Sequence, residues 1–375
     1  MTRWIGNIAI TLTVFDRVRR RHTLKLIFLT MAIVSAWCGV AQAQSISWLE
    51  KGDYLGSGWW FYPRLAGDAS GDFLVVGQDA TGSGPLAYQT GSYPGGSADW
   101  ISWNYGNSDY GSGTNPNAAL AMIPVDNANW VAGIEVHQGG QNNGSALWSH
   151  TAESGWPITA NLTWTNGVQY DTGFNPTVAI DPIGGFEVVE VHQAASGISN
   201  LWYHVGTFQV DMFGVASLTW GPAYQFDYGH FPSVSTCNGL AVEVHEGDSG
   251  TLWYSIGKID LSRYKVKWGP SLQYENGYRP SVALCANLGH TGQYLVEVHQ
   301  AGKPAAGKST ALWYHVSSYT SSTVTWKPAV KYGTGCSPTV TMESLNPSNL
   351  IAETHSAYCG EAAPLYYDLG NLIVP

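Results

Sequence analysis

The sequence predicts an all-β chain built from one sheet-forming unit used six times, on three observations. First, Glu190-Val191-His192-Gln193 followed by Leu201-Trp202-Tyr203-His204 recurs along the chain. Second, a proline recurs with it at positions 63, 116, 176, 232, 280 and 338, a period near 55 residues of the kind that marks arrays. Third, downstream of the N-terminal segment no stretch has a helical period, whereas Gly, Asn, Asp and Ser punctuate short runs rich in branched and aromatic residues.

Residues 1–43 have the form of a signal peptide. Arg17, Arg19, Arg20, Arg21 and Lys25 form a basic front, Leu26 to Val34 an apolar core, and Ala41-Gln42-Ala43 a cleavage site before Gln44. A secreted or periplasmic protein with no membrane span in the mature chain is expected. Cleavage removes six of the 17 Lys+Arg and one of the 27 Asp+Glu, so the net charge moves from −10 to −15. Such an acidic chain is a poor partner for nucleic acid or anionic lipid.

The copies then follow in order. Val75-Val76-Gly77-Gln78 with Leu86-Ala87-Tyr88 is a worn first one. Glu135-Val136-His137-Gln138 leads to Leu147-Trp148-Ser149-His150, and Glu243-Val244-His245-Glu246 to Leu252-Trp253-Tyr254. Glu297-Val298-His299-Gln300 leads to Leu312-Trp313-Tyr314-His315, and Glu353-Thr354-His355-Ser356 to Leu365-Tyr366-Tyr367. Upstream, Trp164, Tyr170 and Gly173 precede Pro176 at the spacing that Trp326, Tyr332 and Gly335 keep before Pro338. Each unit offers four strands, which buries too little to stand alone. Residues 44–375 are therefore expected to form a single six-bladed β-propeller of four-stranded blades. Ser45-Ile46-Ser47-Trp48 has the form of a fourth strand with no unit before it, and the last unit lacks one. The N-terminal strand is thus expected to pair with the last blade and close the ring.

Four cysteines follow the leader, and an even number in an exported chain fits two disulfides. Cys237 and Cys285 each fall five residues after the recurring proline, and Cys336 and Cys359 share the last unit. The pairings 237–285 and 336–359 are favoured.

Glu190 and His192 are two apart on a strand, so they share a face, with β-carbons about 6.8 Å apart. Between packed sheets they are buried polar groups, and an unpaired one costs about 1–3 kcal/mol. Two roles remain open: a framework of hydrogen bonds, or the polar wall of a repeated ligand pocket. The candidate ligand-binding residues are Glu135, His137 and Trp148; Glu190, His192 and Trp202; Glu243, His245 and Trp253; and Glu297, His299 and Trp313. No metal site is expected, because each dyad lacks a third ligand nearby in sequence, and no cofactor is expected. Sequence signatures of catalysis such as Gly-x-Ser-x-Gly and His-Glu-x-x-His are absent. Outside the pattern, His230, Arg279, Asp171 and Asp227 are the better catalytic candidates.

The unit of Trp, Gly, Pro, Glu-Val-His-Gln and Leu-Trp-Tyr resembles the repeats of secreted bacterial β-propeller proteins, including propeller lectins, over roughly Gln44 to Pro375. The resemblance implies shallow sugar sites between neighbouring blades at Trp202, Trp253 and Trp313, with His192, His245, His299 and their Glu partners. A multivalent, lectin-like, monomeric carbohydrate-binding protein without catalysis is expected, with glycans or polysaccharide as partners. The alternatives are a polysaccharide-active hydrolase or lyase with its site at the channel mouth, and a protein-interaction scaffold.

Overall fold

The computed structural model describes residues 44–374 except 56–59, 69, 80–84, 97, 105–107, 126–127, 141–144, 159–160, 184, 286–292, 343–348 and 360–362. For 60–62, 79 and 285 it describes the backbone alone. The proposed leader and its cleavage site lie outside the described residues. Gln44–Leu372 clusters as one compact unit, whose described residues are all-β apart from one turn of 3₁₀ helix at Leu261–Arg263. Among the described residues no helix is long and apolar enough to cross a membrane.

The third unit shows how the sequence makes a sheet. Phe174–Ile180, Glu187–Ala195 and Ile198–Val210 run antiparallel, and Ala216–Trp220 pairs with the far half of the last of these. After Trp220 the chain breaks at Gly221-Pro222, and Tyr224–Tyr228 pairs with the near half of the same strand across a bulge at Leu201/Trp202. The outer edge is thus two short strands. Val188, Val189, Val191, Leu201 and Val205 are fully buried and pack against neighbouring sheets.

The expected set of six four-stranded blades in one closed ring is corrected here. Among the described residues the strands form five separate hydrogen-bonded sheets, four of five strands and one of eight, and none closes on itself. Two local features account for the difference. The outer edge splits at the Gly-Pro or loop after each Trp, which adds a fifth strand. Val330–Met342 stays continuous for 13 residues, pairing first with Thr310–Tyr319 and then with Leu350–Ser356, so the last two units merge. Ser45–Tyr54 hydrogen-bonds to Leu365–Ile373 at the edge of that merged sheet. The inner strands of all six units line one common cavity of about 120 Å³.

The residue before each recurring proline explains the glutamine of the motif. Asn175, Phe231, Arg279 and Ser337 have φ of 49°, 48°, 54° and 51°, a left-handed backbone that is uncommon for such residues. The Gln138 and Gln193 carboxamides accept the Asn175 and Phe231 N–H at 2.8 and 3.1 Å. Glu246 and Gln300 accept those of Arg279 and Ser337 at 3.3 and 2.9 Å. The second to fifth units therefore each hold the irregular entry strand of the next.

Cys336 and Cys359 form a disulfide, and Cys237 is buried. The side chain of Cys285 lies outside the described residues, so its pairing with Cys237 stays a proposal.

Candidate binding recesses between neighbouring sheets

Antiparallel register decides what stands beside each dyad. Glu190 lies opposite His204 and His192 opposite Trp202, and the same pairs recur as Glu135/His150, His137/Trp148, Glu297/His315 and His299/Trp313. Directly opposite residues share a face of the sheet, so each dyad gains a Trp and a second His. In the fourth unit Ser255 takes that position, and in the sixth Asp368 does.

The Glu carboxylates are fully buried and the first histidines nearly so. His137, His192, His245, His299 and His355 each present Nδ1 to the glutamate two residues earlier, at 2.9–3.1 Å. The previous sheet supplies the remaining donor for Glu190 and Glu297, and the first half of Val330–Met342, within the merged sheet, supplies it for Glu353. Tyr170, Tyr274 and Tyr332 donate to Glu190, Glu297 and Glu353 at 3.1, 2.9 and 2.9 Å. Burial first, and then the carboxylates, raise these phenols well above their usual values. Tyrosines at this position stack on an aligned Trp, across sheets for Tyr110 and Tyr274 and within the merged sheet for Tyr332. Tyr110 and Trp164 lie 4.4 Å apart between centroids, Tyr274 and Trp326 4.0 Å, and Tyr332 and Trp48 5.3 Å. The recurring glycine is explained too: a β-carbon at Gly173 or Gly277 would meet the His192 or His299 ring at 2.4 or 2.6 Å.

The second histidines are fixed from behind. His150, His204 and His315 direct Nδ1 at the carbonyls of Thr165, Gly221 and Lys327, at 2.8, 2.8 and 2.6 Å. A carbonyl only accepts, so Nδ1 carries the proton and Nε2 faces forward. What Nε2 meets depends on the residue after the recurring aromatic. In the third unit Asp171 reaches across and pairs with His204 Nε2 at 2.7 Å. In the second unit Gly111 occupies that position, and the space stays open. The result is a recess of about 460 Å³ lined by Tyr110, His137, Trp148, His150 and Trp164. Its volume falls within the range of small-molecule sites.

The electrostatics carry a pH signature. Burial pushes the imidazoles toward the neutral form, but nearby carboxylates outweigh it, and His204, His245, His299 and His355 are raised above the usual value. Stability from a raised histidine is complete below its unfolded value of about 6.5 and is lost as pH rises through the folded value. Burial and the neighbouring Asp68 push Asp72 up to about 7, so it too holds its proton to higher pH when folded. Asp171 is lowered: burial opposes, but the His204 hydrogen bond and the two imidazoles prevail, so its contribution fades only in acid. Thermal melts are expected to show a higher midpoint at pH 5.5 than at pH 8; the reverse order would contradict this assignment.

All twelve candidate residues stand at these interfaces, with Glu and His buried and Trp148, Trp202, Trp253 and Trp313 half-buried. Of the four catalytic candidates, Asp171 and Asp227 belong to the interfaces, where Asp227 accepts from Ser255 at 3.4 Å. His230 instead meets Gln193, and Arg279 stacks on Phe231, near the entry strands. The structure does not gather the four into one cluster. The sequence reading missed Gly111, Tyr110, His150, Trp164 and His315. The recurrence of His two residues after the motif Trp was the available signal.

A scan against protein-family models finds no match, and a sequence search of curated proteins finds none. Solved structures do match. The NanB sialidase of Streptococcus pneumoniae has a TM-score of 0.52 at 8% identity, over 86% of this chain and 70% of that one. A fucose-specific lectin from Aleuria aurantia gives 0.53 at 10% identity, over 85% and 98%. An intramolecular trans-sialidase from Ruminococcus gnavus gives 0.51 at 9% identity, over 89% and 98%. At these identities the likeness concerns the fold alone.

Proposed function

We propose that this chain is an exported carbohydrate-binding protein that holds sugar units in recesses between neighbouring sheets and does not turn them over. The observation that carries this is the recess beside Gly111. It sets half-buried Trp148 and Trp164 next to the imidazoles of His137 and His150 in a space of sugar size. Indole faces pack against the C–H faces of a pyranose, and imidazole nitrogens meet hydroxyls. The Glu partners act from behind, orienting the histidines. Trp202, Trp253 and Trp313 extend the same arrangement to further units, and several weak sites on one frame gain by avidity, often 10²-fold or more. Likeness of fold to a fucose-specific lectin and to sialidases supports the carbohydrate class.

The test is retention on a panel of immobilised glycans and polysaccharides. Wild type is expected to bind at least one, and Trp148→Ala to weaken binding by about tenfold, the equivalent of about 1.4 kcal/mol, with little change in melting temperature. No retention on any matrix contradicts the proposal. Release of new reducing ends would move it to a polysaccharide-degrading enzyme.

A further inference from the structure

We propose a divalent transition-metal site, of the zinc class, at Glu275, Glu297, His299 and His315, between the sheets of the fourth and fifth units. The sequence offers only the Glu-x-His pair on one strand. The fold adds His315 from across the same sheet and Glu275 from the neighbouring one.

Several observations converge on this cluster. His315 is 2% exposed, and its Nε2 has no hydrogen-bond partner. Its Nδ1 proton is committed to the Lys327 carbonyl at 2.6 Å, which leaves the Nε2 lone pair directed into the cluster. That nitrogen stands 4.0 Å from a carboxylate oxygen of Glu275 and 4.0 Å from one of Glu297. Tetrahedral ligands about 2.0–2.2 Å from zinc stand roughly 3.3–3.6 Å apart, so a small inward shift of these side chains lets one ion meet them. Ligand atoms of Glu297, His299 and His315 all lie within 4.8 Å of one another. A buried lone pair facing two carboxylates calls for a proton or a cation between them. The surrounding contacts match what orients metal ligands: the carbonyl behind His315, and the Tyr274 hydroxyl donating to Glu297 at 2.9 Å. Imidazole in the set selects transition metals over calcium or magnesium. The corresponding place in the third unit is already closed by the 2.7 Å contact between Asp171 and His204. Glu135, His137 and His150 form a like cluster in the second unit, but Gly111 stands there in the place of Glu275.

The inference does not depend on the carbohydrate reading, and its test uses zinc chloride alone. Full-length protein stripped with chelator is titrated calorimetrically, and bound zinc is counted by elemental analysis after gel filtration. Wild type is expected to retain zinc, His315→Ala to retain one zinc fewer per chain, and Glu275→Ala to bind at least tenfold more weakly at that site. Glu275 is on the rim and its side chain is 35% exposed, so this variant decides the matter if His315→Ala does not fold. Absence of zinc from wild type, or equal zinc affinity in wild type and Glu275→Ala, overturns the proposal.

Discussion

Replacing Glu190 by alanine is expected to destabilise the protein by about 2–6 kcal/mol, the cost of leaving two buried hydrogen-bond donors without their acceptor. The carboxylate is fully buried and serves two neighbours, His192 Nδ1 at 3.0 Å and the Tyr170 hydroxyl at 3.1 Å. Its loss leaves both groups buried without an acceptor and opens space between two sheets. For a domain of this size the melting temperature should fall by roughly 10 °C. Urea unfolding followed by tryptophan fluorescence measures it, and a loss below about 1 kcal/mol would show that the dyad does not hold the sheets together. The first unit is a natural comparison. Val75 and Gly77 stand where the others carry Glu and His, and that interface packs Val75 with Leu369 and Tyr367 instead. An apolar substitute is therefore tolerated when both polar partners are absent, in keeping with the asymmetry between breaking a buried pair and replacing it.

The second large effect is expected from Gly111→Asp. A β-carbon built at Gly111 lies 3.2 Å from His150 Nε2, so the new carboxylate falls beside the imidazole as Asp171 does beside His204. The imidazole needs to yield only a few tenths of an ångström. The new pair should hold His150 protonated and fill the open recess. Glycan binding there should fall at least tenfold, while the melting temperature stays level or rises below pH 6.5. Nuclear magnetic resonance titration of His150 checks the electrostatic half: its pKa should rise relative to wild type.

Much of this was legible in the sequence because strand periodicity is local. The spacing of Glu190 and His192 gave their common face, and the recurring Glu-x-His, Trp and Pro marked equivalent strands. The pairing of Cys336 with Cys359 was legible from their shared unit. Sheet membership was not. Whether the chain after Trp220 or Trp326 starts a new strand pairing depends on where the backbone kinks, and whether Val330–Met342 stays straight depends on its neighbours on both sides. The recess was missed for a related reason. Its shape is set by Gly111, which belongs to one sheet, against His137 and His150, which belong to the next. Motif inspection along one unit does not see a residue contributed by another. A different limit hid the other two residues of the proposed metal cluster: His315 belongs to the same unit as Glu297 and faces it only through strand register, and Glu275 meets His315 only across the packed sheets.

The account stands most directly on the open recess beside Trp148. Calorimetric titration of wild type and Gly111→Asp, with the same retained glycan, measures how many sites each binds. One site fewer in the variant, at an unimpaired melting temperature, is the predicted result; equal numbers of sites at equal affinity would contradict it.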